Sequence, residues 1–483
     1  MKKGNTTSIY AGGMMFLIWL AIWAAAAFAV GSELILPGPV STVRALSGLV
    51  VTGQFWLDVI WTMLRVILGM AASIAAGFAC AVPAAKNKAM RDFLRLPVSF
   101  FKSIPVMAII IYVILIVKAD WVAVIVCFFM CFPIAYTNML NGLMNMSRQY
   151  DELGSMLGLT DKQKWSLISK PELQPQIRAS VNLIAGMSWK VVVAAEVLAI
   201  PEHSIGYQML NSKYYLNTAD LFAYILVLIV LSLAVEKLSA YAAEMDYRRV
   251  GSRVRDEVSK AFTAAAKVED SPETGNGTTP VTATLEHVSK SYISDDGTQK
   301  KVLEDLSLEF TQGITALLGP SGEGKTTIAR LIMGLERPDE GTVSVEPSAD
   351  PDVLFQEERL LPWLTMEENM MLAFIREAAE DPERSVQEMA EKLEIADSLQ
   401  NMPDELSGGM AHRTALGRTL LGGSCLLILD EPFRGLNEDL KGRILKNIDH
   451  DMRTGRGEQA RTVILITHEE KLAEMIADST VRI

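Results

Sequence analysis

Long apolar runs separated by short polar connections occupy residues 1–240. The run 9–30 carries no charged residue, and similar runs follow at 57–82, 98–117, 121–143, 178–200 and 219–239. A helix needs roughly 20 apolar residues to cross about 30 Å of hydrocarbon, and it satisfies its own backbone hydrogen bonds there. The pattern therefore predicts an all-α, polytopic membrane domain of six helices over residues 1–240.

The pattern changes after residue 240. Residues 241–270 are charged and mostly compatible with helix, and 271–280 (SPETGNGTTP) collect turn formers, so we interpret 241–280 as a charged linker. Beyond it, strand-like runs such as VTATLEHV precede an apolar strand, a glycine-rich loop and a helix. This order predicts a second domain of α/β structure over 281–483.

Charge separates the same two parts. Residues 1–240 contain 18 Lys and Arg against 12 Asp and Glu, a net charge of +6, whereas residues 241–483 contain 27 against 45, a net charge of −18. A nucleic-acid reader presents a basic face, so the acidic second part argues against nucleic acid as a partner. The two parts fit a domain in the lipid bilayer followed by one in water. The four cysteines form no CxxC pair, and neither a disulfide framework nor a zinc site is predicted.

Basic residues mark one side of the membrane. Five follow the second span and five follow the fourth, whereas the three opposite connections contain only Arg44, Lys118 and Lys213. Lys and Arg concentrate in cytoplasmic connections. We therefore expect both ends of the membrane domain, and the whole α/β domain, to lie in the cytoplasm.

The charged residues inside predicted spans include Arg65, Lys190 and Glu196. Each would cost about 2.5 to 3.5 kcal/mol at a helix centre, so each needs a partner, a watery cavity or a place near an interface. One interpretation is a polar translocation path lined by these groups. The other is that Arg65 reaches the outer interface while Lys190 and Glu196 pair within the bundle.

The connection between the fourth and fifth spans is long and polar (150–177). Its pattern predicts a helix through 150–157 that ends at Gly158, then a second amphipathic stretch that Pro171 and Pro175 stop. Such a helical elbow is either a handle for another domain or a solvated loop.

The segment GPSGEGKT (319–326) lies between an apolar strand and a helix, which is the context that a GxxxxGK[ST] phosphate loop requires. Its glycines allow successive backbone N–H groups to turn toward a phosphate chain at the start of the helix. Lys325 would reach the terminal phosphates, and Thr326 would bind Mg²⁺. We therefore expect ATP and Mg²⁺ as ligands.

Two further strands deliver candidate catalytic groups. CLLILDEPF (425–433) ends in adjacent carboxylates, of which Asp430 would face the Mg²⁺ shell and Glu431 would polarise an attacking water. TVILITHEE (462–470) brings His468 to the same edge. Together these segments predict a Mg-ATPase tethered to a membrane domain.

The motif LSGGM (406–410) stands between the phosphate loop and the acidic strand. In this order, with Tyr292 upstream, Gln356 midway and His468 last, residues 281–483 resemble an ATP-binding cassette (ABC) domain of the P-loop NTPase fold. The resemblance implies head-to-tail dimers in which each ATP lies between one phosphate loop and the partner's LSGG motif. Ser407, Gly408 and Gly409 would thus bind the ATP of a second copy of the chain.

The same resemblance assigns roles in the cassette. Tyr292 would stack on adenine, Glu431 would be the general base, His468 would contact the γ-phosphate, and Gln356 would sense Mg²⁺ and water. Mg²⁺ would be held by Thr326, Gln356 and Asp430. The remaining ATP-binding residues would be Gly319, Ser321, Gly322, Gly324, Lys325, Thr326 and Thr327. Two departures are Met410 in place of Gln and Asn437 in place of the D-loop Asp, and the second puts coupling across the dimer in doubt.

The elbow also carries a resemblance. DELGSMLGLTDKQKWSLISKPELQP is similar to the EAA loop of type I ABC importer permeases, with Glu152, Gly158 and the Lys170-Pro171 pair at matching places. In that family the elbow docks into the cassette. KSIPVMA, SWKVVVAAEVLA and FQEERLLPWLT resemble the nitrate/sulfonate/taurine branch, from which this chain differs by fusing permease and cassette.

The resemblance implies an ATP-driven importer half in the cytoplasmic membrane of a prokaryote. It would work as a homodimer with a separate extracytoplasmic solute-binding protein. Its substrate would be a small anion such as a sulfonate, taurine or nitrate, and the alternative is a pyrimidine precursor of thiamine. Two other functions, an exporter or lipid flippase and a membrane-bound nucleotide sensor, remain open.

Overall fold

The computed structural model describes residues 5–268, 280–293, 299–320, 322–376, 379–455 and 459–483. The chain folds into two compact units. The first contains Met1–Met146 and Leu173–Met245, and the second contains Ser147–Glu172 and Asp246–Ile483. The predicted elbow thus belongs to the second unit, with the α/β domain. We refer to the two units as the membrane unit and the cassette unit.

The membrane unit is built of helices in its described part. They are α1 (Asn5–Val30), α2 (Pro39–Val50), α3 (Gly53–Lys86), α4 (Lys88–Ser103), α5 (Val106–Ile116), α6 (Ala119–Met144), α9 (Lys170–Ala199, which begins in the cassette unit), α10 (Ile205–Tyr214) and α11 (Thr218–Arg248). Four helical stretches among the described residues are long and apolar enough to cross a membrane: Gly53–Lys86, Ala119–Met144, Asp161–Ala199 and Thr218–Leu238. The described apolar part of α1, Leu17–Val30, is shorter.

The third predicted span, 98–117, is broken. The prediction of one continuous span over 98–117 is wrong, because the chain turns by 102° between α4 and α5. The reason is local: Pro105 disfavours helical geometry in the preceding residue, and Ile104 is extended, with ψ of 132°. An amphipathic helix therefore precedes the 11 residues of α5.

Small residues bring α3 and α6 close together. A β-carbon on Gly69 would lie 2.7 Å from the Cβ of Cys127, and one on Gly77 would lie 2.5 Å from the Cβ of Ala135. Glycine in membrane helices permits such close backbone approach, which increases van der Waals contact where lipid gives no hydrophobic driving force. The α3–α6 pair therefore forms the centre of the membrane unit.

The elbow consists of α7 (Arg148–Met156), α8 (Asp161–Lys164) and a π-helical turn over Trp165–Ser169 that continues into α9. Gly158 ends α7 with φ of +65°, the left-handed geometry that glycine favours. The prediction that Pro171 and Pro175 stop the second stretch is wrong, because Pro171 lies in the first turn of α9 and Pro175 lies inside it. The wider π turn accommodates the missing backbone N–H of Pro171.

Part of the predicted linker is a packed helix of the cassette unit. Helix α12 (Val250–Val268) buries Val250, Val254 and Val258, which repeat every four residues and therefore share one face. These valines join the same hydrophobic core as Leu153 and Leu167 of the elbow. Residues 269–279 lie outside the described residues.

The described part of the cassette contains two sheets. One is antiparallel, in the order β2-β1-β4, with β1 at Thr282–Ile293, β2 at Gln299–Phe310 and β4 at Glu340–Glu346. The other is parallel, in the order β5-β6-β7-β3-β8, with β3 at Gly313–Leu318, β5 at Asp352–Leu354, β6 at Leu426–Asp430, β7 at Thr462–Thr467 and β8 at Ser479–Arg482. Strands β6 and β7 are fully buried, which explains their uninterrupted apolar sequences.

Helices cover the parallel sheet. They are α13 (Lys325–Ile332), α14 (Met366–Met371), α15 (Pro382–Lys392), α16 (Gly408–Leu420), α17 (Glu438–Arg453) and α18 (Glu470–Ile476), with short 3₁₀ turns at Leu372–Ile375, Ala396–Ser398 and Pro403–Glu405. Because β3, β6 and β7 are parallel neighbours, their carboxyl ends meet at one edge. The phosphate loop, the paired carboxylates and His468 all follow these ends.

Candidate nucleotide site and coupling elbow

The phosphate loop follows β3 and leads into α13. Gly322 and Gly324 have φ of +90° and +100°, a region that costs residues with a β-carbon steric energy. The ammonium group of Lys325 donates to the carbonyls of Gly319 at 2.6 Å and Pro320 at 2.7 Å. A cavity of about 270 Å³ lies at this loop. Ser321, also predicted to bind ATP, lies outside the described residues.

Oxygen ligands converge on one wall of this cavity. The hydroxyl of Thr326 donates to Oδ2 of Asp430 at 3.2 Å, and Gln356 and Thr327 line the same cavity. Burial raises the pKa of Asp430 to about 6. The hydrogen bond from Thr326 opposes this shift, and the negative charge of Glu431 adds to it. A buried carboxylate beside hydroxyl and amide oxygens is the hard donor set that Mg²⁺ prefers. The residues predicted to hold Mg²⁺ therefore fit that ion.

Glu431 is paired with His468 at the carboxyl edge. Nδ1 of His468 lies 2.6 Å from Oε1 of Glu431. Glu431 has φ of +53°, a strained conformation of the kind that structures retain at functional sites. Two backbone contacts hold Glu431 in this conformation. Its N–H donates to the carbonyl of Ile466 at 2.9 Å, and its carbonyl oxygen lies 3.0 Å from Nε2 of His412. The carboxylate thus stands in the cavity with a defined orientation.

Tyr292 lies at the end of β1, with an exposed fraction of 37%. Its hydroxyl lies 3.5 Å from the hydroxyl of Thr327 and donates to Glu336 in a short contact. Glu336 also accepts a 2.7 Å hydrogen bond from Arg330 of α13. The predicted adenine platform is therefore connected to the first helix after the phosphate loop.

The LSGG motif begins α16, where Ser407 is the N-cap. Ser407 and Gly408 are exposed, and a β-carbon on Gly408 would meet no atom within 4 Å. Neither residue is among the described residues that line the phosphate-loop cavity. Asn437, the D-loop departure, is the N-cap of α17 and accepts a hydrogen bond from the N–H of Leu440 at 2.8 Å.

Glu152 of the elbow is held by two arginines of the cassette. Arg330 donates to its carboxylate at 2.9 Å and Arg359 at 3.0 Å, and Glu152 is only 8% exposed. Burial alone would raise the pKa of this carboxyl, but the two arginines hold it below its ordinary value. Arg359 also lies over the ring of Phe355, 3.5 Å from its centroid. The elbow therefore meets both α13 and the segment that carries Gln356.

Aromatic and backbone contacts surround this ion pair. The indole N–H of Trp363 donates to the carbonyl of Leu167 at 2.8 Å, and Tyr150 packs edge-on against the same ring, with centroids 5.6 Å apart. Arg376 donates to the carbonyl of Met156 at 3.1 Å. A β-carbon on Gly158 would lie 3.1 Å from the Cδ of Arg376.

Helix α12 contacts both the elbow and the cassette core. Gln163 of the elbow donates to Glu257 at 2.7 Å, and Arg255 donates to Glu367 at 3.1 Å. A β-carbon on Gly251 would overlap the carboxylate of Glu368 at 1.9 Å. Helix α12 thus forms polar hydrogen bonds with the elbow and with a separate segment of the cassette.

Two of the charged residues in the predicted membrane spans are partners. Arg65 donates to Glu196 at 2.9 Å and is 3% exposed, and the hydroxyl of Thr62 donates to the same carboxylate at 3.0 Å. Arg65 also contacts Asp120 at 3.1 Å. Lys190 is exposed in the isolated chain. Their role in a translocation path stays a prediction.

Sequence reasoning missed several residues. Arg330 and Arg359 carry no motif signal that links them to Glu152. His412 is one of four buried polar residues of α16, with Thr414, Arg418 and Thr419, so the sequence pattern does not single it out. Trp363 stood inside a recognised segment, but its partner is a backbone carbonyl that no sequence pattern identifies. The spacing of Val250, Val254 and Val258 was a usable signal for the packed face of α12.

Comparison with known families bears on both units. The model of the ABC transporter family matches residues 303–434, and the model of the binding-protein-dependent transport system inner membrane component matches residues 69–243. The aliphatic sulfonates import ATP-binding protein SsuB 1 of Paracoccus denitrificans is 36% identical over 37% of this chain and 72% of its own length. This chain belongs to the ABC transporter family. It joins a membrane component of the binding-protein-dependent type and an ABC cassette in one polypeptide.

Other relatives of this ABC transporter differ in length. The bicarbonate transport ATP-binding protein CmpC of Synechocystis sp. is 34% identical over 41% of this chain. The chain spans only 31% of that relative. Among solved structures, the dimeric bacterial cassette MJ0796 is 22% identical, with 42% of this chain and 94% of its own covered and a TM-score of 0.37.

Proposed function

We propose that this chain is one half of an ATP-driven importer, with permease and ATPase fused. The observation that carries the proposal is the docking of the elbow on the cassette: Glu152 binds Arg330, five residues after the phosphate-loop Lys325, and Arg359, three residues after Gln356. A movement of either cassette segment is therefore transmitted to the elbow. An exporter or flippase would not need this elbow, and a nucleotide sensor would not need a transport partner.

The ATPase step follows from the geometry of the cavity. The backbone N–H groups of the phosphate loop and Lys325 would hold the phosphates of ATP. Glu431 would accept a proton from a water molecule while the oxygen of that water attacks the γ-phosphorus. The bond between the γ-phosphorus and the bridging oxygen would break, and that oxygen would leave with ADP. His468 orients Glu431 through Nδ1, which leaves Nε2 for a phosphate oxygen. Thr326, Asp430 and Gln356 would hold Mg²⁺, and the bound ion would neutralise charge on the transferred phosphoryl group.

The proposed working unit is a homodimer. Ser407 and Gly408 are exposed, so both are accessible to an ATP molecule bound by a second copy of the chain. Full-length Lys325→Ala and Ser407→Arg chains should each be inactive, and a mixed heterodimer should regain one composite site and part of the ATPase activity. Heterodimers that form without any regained activity would contradict this arrangement.

The proposed substrate is a small anion, received from a separate extracytoplasmic binding protein at the inner membrane of a prokaryote. The cassette would then lie on the cytoplasmic side. The similarity to relatives named for sulfonate import and bicarbonate transport supports this class, and a thiamine-precursor pyrimidine is the alternative. Sulfonates, taurine, nitrate and bicarbonate should therefore be tested before neutral pyrimidines.

The test of function is stimulation of ATPase activity in proteoliposomes. A candidate solute-binding protein is sought among the genes neighbouring that of this chain and purified, and its ligand is identified by thermal shift. An importer should hydrolyse ATP faster when the liganded binding protein is added on the extracytoplasmic side, and the unliganded protein should stimulate less. Equal activity with and without the binding protein would favour the sensor function and contradict import.

A further inference from the structure

A cationic cavity lies in the membrane unit between α4 and α6. Its volume is about 380 Å³. Its lining includes three cations, Arg91, Arg95 and Lys102, and one acid, Asp92. Lys102 donates to the hydroxyl of Thr137 at 2.9 Å. The excess of positive charge makes the cavity suited to an oxyanion.

A buried phenol adds a second observation. Tyr136 lines the cavity and is only 3% exposed. Within the described residues its hydroxyl has no hydrogen-bond partner. A buried donor left unpaired is costly, and such groups in folded proteins are nearly always satisfied. The hydroxyl is covered in this structure, so a movement of the Tyr136 side chain would bring it to an oxygen of a ligand in the cavity.

The position of the cavity along α6 places it near one face of the bilayer. Thr137 follows the first residue of α6 by 18 positions, about 27 Å along a helix. This distance approaches the roughly 30 Å thickness of the hydrocarbon. Since the charge pattern predicts that α6 begins at the outer face, the cavity lies at the cytoplasmic boundary.

Helix α4 has the geometry of a helix that lies in that boundary. It is turned by 102° from α5. One face buries Leu94 and Val98. Another exposes Phe93, Leu96 and Phe100, at 71%, 78% and 60%, while Arg91 and Arg95 line the cavity. Such a helix places apolar side chains among acyl chains and its cations at the headgroups.

We propose that this cavity binds the headgroup of an anionic phospholipid of the cytoplasmic leaflet. The phosphate accepts hydrogen bonds from the cations and from Tyr136, and the acyl chains lie along the exposed face of α4. A free oxyanion shares the phosphate chemistry but would leave that apolar face uncovered. The proposal does not depend on the direction of transport.

The test measures binding of NBD-labelled phosphatidylglycerol to the full-length protein in a nonionic detergent by fluorescence anisotropy. Dioleoyl phosphatidylglycerol should displace the probe, whereas dioleoyl phosphatidylcholine should not. Each cation at an anionic surface contributes about fivefold in affinity, so Arg91→Gln/Arg95→Gln should weaken binding about 30-fold. The matched control, Lys86→Gln/Lys88→Gln, removes two exposed cations that do not line the cavity. It should change affinity little, because salt screens exposed charges that do not contact the ligand.

Two results would overturn the proposal. The first is that both double variants weaken binding of the labelled lipid equally. The second is that inorganic phosphate or sulfate, at about 10 mM, displaces the probe as effectively as dioleoyl phosphatidylglycerol does. Tyr136→Phe separates a local defect from misfolding. It should weaken lipid binding about fivefold, yet melt no lower than wild type in lipid-free detergent, because it removes an unpaired hydroxyl. If that variant bound lipid with unchanged affinity, the hydroxyl of Tyr136 would not contact the phosphate.

Discussion

The indole N–H of Trp363 donates its hydrogen bond to the carbonyl of Leu167, at 2.8 Å. In a regular helix that carbonyl would accept from the N–H four residues later, which is the position of Pro171. Proline has no N–H to donate. The elbow therefore presents an open backbone acceptor to the cassette, and Pro171 explains why the acceptor is open.

This relationship predicts a rescue between two sites. Trp363→Phe should leave the buried Leu167 carbonyl unpaired, at a cost of about 1 to 3 kcal/mol, and should lower both the melting temperature and the stimulated ATPase rate. Pro171→Ala restores an N–H within reach of Leu167, so adding it to Trp363→Phe should recover part of the loss. Trp165→Phe, which changes an indole with 48% exposure in the same elbow, is the control. A double variant no better than Trp363→Phe would show that the hydrogen bond is not the cause.

Gly158 should be sensitive because of its backbone. With φ of +65°, a β-branched residue there is strained by about 1 to 2 kcal/mol, and its side chain would press on Arg376. Gly158→Val should retain membrane insertion and ATP binding while ATP hydrolysis no longer drives uptake. Gly442→Val is the control, because a β-carbon there meets no atom within 4 Å. Normal uptake by the Gly158 variant would exclude the elbow as the coupling element.

The sequence predicted the fold class, the phosphate-loop context and the glycine turn of the elbow, because each depends on local residue chemistry. It failed at Pro171 and Pro175, where the π turn ahead of α9 accommodates residues that usually end a helix. It failed at 98–117, where apolar composition hid the bend at Pro105. The partners of Glu152 could not be predicted, since Arg330 and Arg359 lie 178 and 207 residues away along the chain.

Asn437 tests the coupling between the two proposed ATP sites. Its side chain caps α17, and Asp caps helices equally well, so Asn437→Asp should leave the melting temperature unchanged or slightly higher. The added charge should raise the ATPase rate or its Hill coefficient. Asn437→Ala loses the cap, at about 1 kcal/mol, and separates capping from charge. A slower Asp variant would mean that the Asn is adapted to this dimer.

His412 predicts a dependence of stability on pH. Burial lowers its pKa below the ordinary value, so below about pH 6.5 the unfolded chain binds a proton that the folded chain resists. Its contribution to stability is complete above that pH and decreases as the pH falls. Between pH 7.5 and 5.5, wild type should lose more melting temperature than His412→Gln. His287→Gln, whose native side chain is 79% exposed, should behave as wild type. Parallel pH profiles for wild type and His412→Gln would contradict this origin.

ATP-dependent uptake by proteoliposomes tests the central claim most directly. Vesicles containing the full-length protein receive the liganded binding protein on one side and MgATP on the cassette side, and accumulation of labelled solute is followed. We expect uptake with the wild-type chain, and a decrease by about 10² to 10⁴ for Glu431→Gln with ATP binding retained. Glu438→Gln, which changes a glutamate with an 87% exposed side chain, should transport normally. Uptake by Glu431→Gln at the wild-type rate, or no uptake by wild type with its liganded binding protein, would contradict ATP-driven import by this chain.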